Sequence, residues 1–211
     1  MFDSCREVEH LHLPAGERLP DLDAKLIWRL ESGAMRIDAE QLGAAPDLVC
    51  LALPGDVVGL EDLVSERVKC VVRAIVPTQL VGMSMDVNHK TELLANTISR
   101  MRERCWQAVS LRSGAVPLRV QRLLLMLSDP SESAGVDTAT LNVPNLREMA
   151  SLIDSAHETV SRVIGNFCEM GLLHDRKPMC LGFNRRLLRE QQFVAGLTSS
   201  SRRPVLNRSA I

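Results

Sequence analysis

Apolar positions recur along this chain with two different periods, and the change of period divides it. Between Val8 and Met85 they come in short runs split by turn residues. Val8–Leu13 reads as a strand ended by Pro14-Ala15-Gly16, and Trp28 to Ile37 as two strands around Gly33. Leu48–Leu53 reads as a strand ended by Pro54-Gly55-Asp56, and Cys70–Ile75 and Gln79–Met85 as two more, broken at Pro77-Thr78. Strands this short and frequent predict a barrel or jelly roll. From Asn88 to Arg112 the period becomes helical. Leu94, Ile98, Met101, Cys105 and Ala108 step by four, three, four and three residues, a coiled-coil seam of about two heptads. Arg100, Arg102, Glu103 and Arg104 fall off that seam.

Beyond a hinge candidate at Ser113-Gly114, Pro117 suits the first turn of a helix running Leu118 to Leu127. Asp129 to Thr140 is a Ser/Gly/Pro loop. Two short amphipathic helices follow. Leu146, Met149, Ala150 and Ile153 share one face of the first, and Val160, Val163, Ile164 and Phe167 share one face of the second. Asp154 and Ser155 sit at the break, where Asp tolerates a positive φ, and Gly171 is a C-terminal stop. This is the layout of a helix-turn-helix. Leu172–His174 and Met179–Phe183 predict a small two-stranded wing with Arg176-Lys177 at its tip, and the Ser-rich, basic residues 198–211 predict a flexible tail. The fold class expected is α+β. Residues 1–86 form a β-roll, 87–113 a dimerisation helix, 114–190 a winged helix-turn-helix and 191–211 a tail.

The outer face of the second short helix carries candidate chemistry. Glu158, Ser161 and Arg162 stand at i, i+3 and i+4 and project together. A first-turn carboxylate can accept from cytosine N4, and an arginine one turn on can fork onto guanine O6 and N7. The same residues also fit a structural role. Ser155-x-x-Glu158 is a capping box, and Glu158 with Arg162 is a helical ion pair.

Charge separates the two ends. Residues 1–86 hold eight basic against fifteen acidic side chains, and residues 141–211 ten against six, within a chain of net charge −1. An acidic front and a basic back predict that only the back meets phosphate. No apolar run is long enough to span a bilayer and no signal-peptide core opens the chain, so a cytoplasmic protein without a membrane partner is expected. Cysteines 5, 50, 70, 105, 168 and 180 are scattered without a C-x-x-C pair, which predicts idle or buried thiols in a reducing compartment. Cys105 in a parallel helix pair would lie near its twin, so an oxidisable pair stays open beside core packing. His10-x-His12 on one side of a strand, with Glu17 past the turn, leaves open a metal site and a cupin-like barrel enzyme. That motif's flanking glycines and second His motif are missing.

The run HETVSRVIGNFCEMGLL resembles the recognition helix and following turn of the Crp/Fnr family of bacterial transcription regulators. Glu158, Thr159, Val160, Ser161 and Arg162 match that family's pattern position by position. Ser161 is as in the Fnr-like branch, which reads TTGA-type half-sites. His157 stands where cyclic-AMP regulators usually carry Arg, and Ala156 replaces a common Ser, which moves the expected cap to Ser155. LPAGERLP, LIWRLESGAMRI and LALPGDVVGLEDL resemble the family's first turn, hairpin and P-G-D turn with a short helix, and the segment from Ile37 to Leu48 is shorter than usual. Altogether the resemblance covers residues 10–190.

It implies a non-enzymatic, DNA-binding homodimer whose partners are double-stranded DNA, a second copy and RNA polymerase. Glu158, Ser161, Arg162, Thr159 and His157 would meet bases. Asn145, Arg147 and Lys177 would be positioned on phosphates, and Leu94, Ile98, Met101, Cys105 and Ala108 would line the dimer interface. The cofactor stays unknown. Gly59 is followed by Leu60-Glu61, and Glu66-Arg67-Val68-Lys69 offers no Arg-Ser pair, which disfavours cyclic AMP. Only Cys5 precedes Cys50, which disfavours an iron–sulfur cluster. His89 is a haem-ligand candidate with nothing around it to distinguish it from a polar residue at a helix start.

Overall fold

The structure, a computed structural model, describes residues 7–20, 26–40, 47–59, 70–84, 90–128, 138–177 and 180–191. The short helix expected after the P-G-D turn, His89 and the tail lie outside them. Among the described residues, strands fill the first part. They are β1 (Glu7–Leu13), β2 (Leu26–Ser32), β3 (Met35–Ala39), β4 (Asp47–Ala52), β5 (Val57–Val58), β6 (Cys70–Ala74) and β7 (Thr78–Ser84). They form two antiparallel sheets, in the orders β1-β7-β2-β5 and β4-β3-β6. Alternate residues of both sheets meet in one core. Leu13, Trp28, Leu30, Val58 and Leu80 from the first sheet pack with Met35, Ile37, Cys50, Ala52, Val72 and Ala74 from the second. This period-two burial is the signature of a roll closed over its own side chains.

Gly33 does more than the hairpin reading gave it. Neither β2 nor β3 pairs with the other; the chain leaves one sheet at Ser32 and enters the other at Met35. Gly33 holds φ +90 there, and a Cβ added to it would sit 2.4 Å from the Pro77 carbonyl oxygen. Both the left-handed backbone and the close approach require glycine. Gly33→Ala should lower stability by at least about 2 kcal/mol, visible as a drop in thermal midpoint, with no change in the strand content of the folded form.

Helices follow: α1 (Lys90–Leu111), α2 (Val116–Leu127), α3 (Leu146–Leu152), α4 (His157–Glu169) and α5 (Arg185–Glu190). Pro117 sits in the first turn of α2, and Gly114 turns the chain before it at φ +88. The wing strands are β9 (Leu173–Lys177) and β10 (Cys180–Asn184). The expected loop Asp129–Thr140 is corrected at its end. Thr138–Asn142 is a strand, β8, and the sheet runs β8-β10-β9, with β10 central. Gly182 lets β10 and β9 close, since a Cβ there would lie 2.8 Å from the His174 ring.

The helical head and the roll share a core. Leu48, Leu51, Leu53, Ile75 and Val76 pack with Leu111 of α1, with Val120, Leu123 and Leu124 of α2, and with the apolar faces of α3 and α4. The sheet β4-β3-β6 therefore turns one apolar face into the roll, while its other face lies under the helices and mixes the apolar Leu48 and Leu51 with the charged Arg36, Asp38 and Arg73. Midway along α1, Asp56 of the P-G-D turn accepts from the Leu53 amide at 2.8 Å, from Arg104 Nε at 2.6 Å and from Arg100 Nη1 at 3.2 Å. Two of the three arginines that fall off the seam, Arg100 and Arg104, thus tie α1 to its own roll.

Candidate nucleic-acid interface

The turn between α3 and α4 is built by a left-handed residue. Asp154 holds φ +51, the role expected of it. The Ser155 amide donates to Ala150 O at 2.9 Å, closing a Schellman turn with Asp154 in the place usually taken by glycine. The end of α4 repeats the device with Gly171 at φ +70. Leu172 N donates to Phe167 O at 2.9 Å and Gly171 N to Cys168 O at 3.0 Å. Arg119 of α2 takes the remaining carbonyls of the first turn, with Nη1 2.7 Å from Ile153 O and 3.0 Å from Asp154 O. One helical turn along, Arg122 Nη1 donates to Ser110 O at 2.7 Å and Ser113 O at 3.0 Å. Two neighbouring arginines of α2 thus hold the hinge after α1 and the turn before α4.

Val160, Val163, Ile164 and Phe167 are buried against α2 and α3, and this fixes which way α4 faces. His157, Glu158 and Arg162 are exposed, while Thr159 and Ser161 are half-buried. The structure thus brings the predicted base-reading residues to one outward stripe. Asn166, one turn past Arg162, is exposed beside it and was not anticipated. Its amide could fork onto adenine N6 and N7, and its i+4 spacing from Arg162 is the signal that would have found it.

Two structural alternatives for these residues are corrected. The N-cap of α4 is Ala156, with no side-chain hydrogen bond, so Ser155 and Glu158 form no capping box. The Ser155 backbone amide closes the preceding turn. Among the described residues Glu158 pairs with His157 Nδ1 at 3.3 Å and forms no salt bridge with Arg162. Asn145 is partly committed: it is the N-cap of α3, and Oδ1 accepts from the Glu148 amide at 2.9 Å. Arg147 is exposed on α3, and Lys177 ends β9 at the wing tip.

The seam on α1 is corrected at one end. Leu94, Ile98 and Met101 are exposed, Ile98 at 66%. Ala108 is 5% exposed and packs into its own roll, as Cys105 does in part. The outward apolar face continues instead through Val109 and Trp106. Helical geometry explains the shift, because Ala108 lies close in angle to the self-packed face that carries Leu93 and Leu111. The metal candidates do not converge. Leu11 and Leu13 of β1 turn toward the roll interior, leaving His10, His12 and Glu17 exposed outside it. Among the described residues no three His, Cys, Asp or Glu side chains form a ligand group.

Arg36 and Glu148 have a bond that crosses from roll to head. Burial disfavours the Arg36 charge, but hydrogen bonds to Asp38 and Glu148 outweigh it and hold its pKa above the ordinary arginine value.

A β-roll, a long helix with an exposed apolar face and a winged helix-turn-helix, in that order, make up the fold of the CRP/FNR transcriptional regulators. The match to solved structures is broad. TTHB099, a CRP-family transcriptional regulator from Thermus thermophilus, superposes with a TM-score of 0.63 at 22% identity, over 84% of this chain and 94% of that one. FixK2 from Bradyrhizobium japonicum gives 0.63 at 19% identity, over 89% and 98%. In sequence, the transcriptional regulator LdrP of Thermus thermophilus is 27% identical over 158 residues, spanning 72% of this chain and 79% of that regulator. No protein-family model matches the chain. TTHB099 and LdrP are each named as transcriptional regulators. Among the described residues, no helix is long and apolar enough to cross a membrane.

Proposed function

We propose that this chain is a dimeric, sequence-specific transcription regulator of the CRP/FNR type. Residues 1–86 would sense, 87–113 would pair two copies, and 114–190 would read DNA. The observation that carries this is the outward stripe of α4 with Glu158, Ser161 and Arg162, on which, among the described residues, Glu158 forms neither a capping box with Ser155 nor an ion pair with Arg162. Arg162 reads guanine, Glu158 the neighbouring cytosine or adenine edge, and Ser161 supplies the Fnr-like contact to a TTGA-type half-site. Thr159 and His157 flank them. Arg147, Lys177 and the free amide end of Asn145 face phosphates.

Two copies join along Leu94, Ile98, Met101 and Val109, an apolar face that a monomer would leave in water. The two recognition helices then enter successive major grooves about 34–36 Å apart on a palindrome. Bound this way, the dimer would stand where it can meet RNA polymerase in the cytoplasm. The LdrP name supports a regulatory role, and the seam and stripe supply the geometry for it.

Selection of bound duplexes from a random pool tests the proposal. It should return an inverted repeat with TTGA-type arms; enrichment of no motif would count against it. Ile98→Glu places a charge in the seam and should give a monomer by light scattering, with the palindrome bound at least about tenfold more weakly. A dimer of undiminished mass would place the interface elsewhere.

A further inference from the structure

The head-facing side of the β4-β3-β6 sheet carries two arginines side by side. Arg36 and Arg73 are cross-strand neighbours on β3 and β6. Like charges so placed repel, and Arg36 is only 5% exposed, so water does little to screen it. Asp38, two residues along the same strand, answers half of this, accepting from Arg36 Nε at 2.9 Å and Nη2 at 2.6 Å through Oδ1. The other half comes from the head. Glu148 Oε1 accepts from Arg36 Nη1 at 2.7 Å, and its two oxygens accept from Arg73 Nη2 at 3.1 and 3.0 Å. Ser151, one turn along α3, adds a contact to Arg36 Nη1 at 3.2 Å. The four charges sum to zero only while the head is docked.

The apolar cluster between head and roll holds the two together without fixing an angle, because hydrophobic contact has no direction. Charge-assisted bonds from two guanidiniums do have direction. Glu148 lies in the first turn of α3, and α3 is locked to α4 through Ala150, Val160 and the Asp154 turn. We infer that Glu148 is a positioning residue for DNA reading: through Arg36 and Arg73 it sets the angle of each recognition helix, and so the half-site spacing the dimer accepts. This rests on the palindrome-reading proposal above. Glu148 itself lies outside the reading stripe.

The test uses the full chain and the duplex found by random-pool selection. A series of that duplex has its half-sites moved together or apart by one and two base pairs, and a single half-site serves as control. The wild type should prefer its own spacing over the two-base-pair changes by about tenfold or more. In Glu148→Gln that preference should fall below about threefold, with half-site affinity held within about twofold. An unchanged spacing preference would overturn the inference while leaving the regulator proposal standing. A wild type that prefers no spacing at all overturns both, and one that binds no duplex overturns the proposal beneath them. If Glu148→Gln melts below the assay temperature, Arg73→Gln, which leaves the Arg36–Glu148 bond in place, decides by the same criterion.

Discussion

Arg162→Ala lowers affinity for the preferred duplex by about 1–3 kcal/mol, roughly five- to 150-fold, and relaxes base preference at one position of each half-site. The expectation follows from where Arg162 stands. It is exposed on α4 and, among the described residues, forms no salt bridge, so truncation removes little from the fold. What it removes is a fork of donors matched to guanine O6 and N7. Binding to unrelated DNA should fall far less, because on the proposed reading that binding would rest on phosphate contacts spread over Arg147, Lys177 and the wing. Anisotropy titrations on matched and scrambled duplexes at one salt concentration measure both numbers. Equal losses on the two would assign Arg162 to phosphate.

Phe167→Ala should cost about 3–5 kcal/mol of stability. The ring is 1% exposed and lies in the cluster shared by head and roll, so the cavity cannot be filled from solvent or by a local loop. Its backbone carbonyl also accepts the Leu172 amide that closes α4, which limits relaxation of the helix end. Urea unfolding followed by circular dichroism should show a lower midpoint with an unchanged slope. Phe167→Leu, closer in volume, should lose less than half as much. A loss below about 1 kcal/mol for the alanine variant would mean that head and roll do not share a packed core.

Elements with strong period were legible in the sequence. The strands around Gly16, Gly33 and Gly55, the α1 helix and both helices of the turn motif follow from apolar spacing and punctuation. Elements without bulky apolar residues were not. β8 opens Thr138-Ala139-Thr140, which resembles loop composition until β10 gives it a partner. In α5 the apolar pair Leu187-Leu188 is hidden among Arg185, Arg186 and Arg189. Its anchor is tertiary: Leu188 is buried, and Gln121 Nε2 donates to the Leu188 and Gln191 carbonyls.

Within the candidate site, the outward placement of Glu158 and Arg162 was legible because one helix carries both. Asn145 was read as a phosphate contact although Asn before an apolar run is an N-cap signal; both uses fit the residue, and the structure assigns its Oδ1 to the cap. Ala108 was misplaced because α1 has two apolar faces, and a small residue near their boundary fits either period. The Arg36–Glu148–Arg73 cluster could not be read from spacing, since its members are 112 and 75 residues apart and meet only when roll and head dock. Arg119 and Arg122 escaped for a related reason: their partners are backbone carbonyls at helix ends, which carry no side-chain signature.

The most direct measurement is a structure of the full chain bound to its selected duplex. The account predicts two copies paired along α1, each with α4 lying in a major groove, and the Arg162 guanidinium forked onto guanine O6 and N7. A complex in which α4 faces away from the DNA, or in which another surface meets the bases while Glu158 and Arg162 stay in solvent, would contradict it.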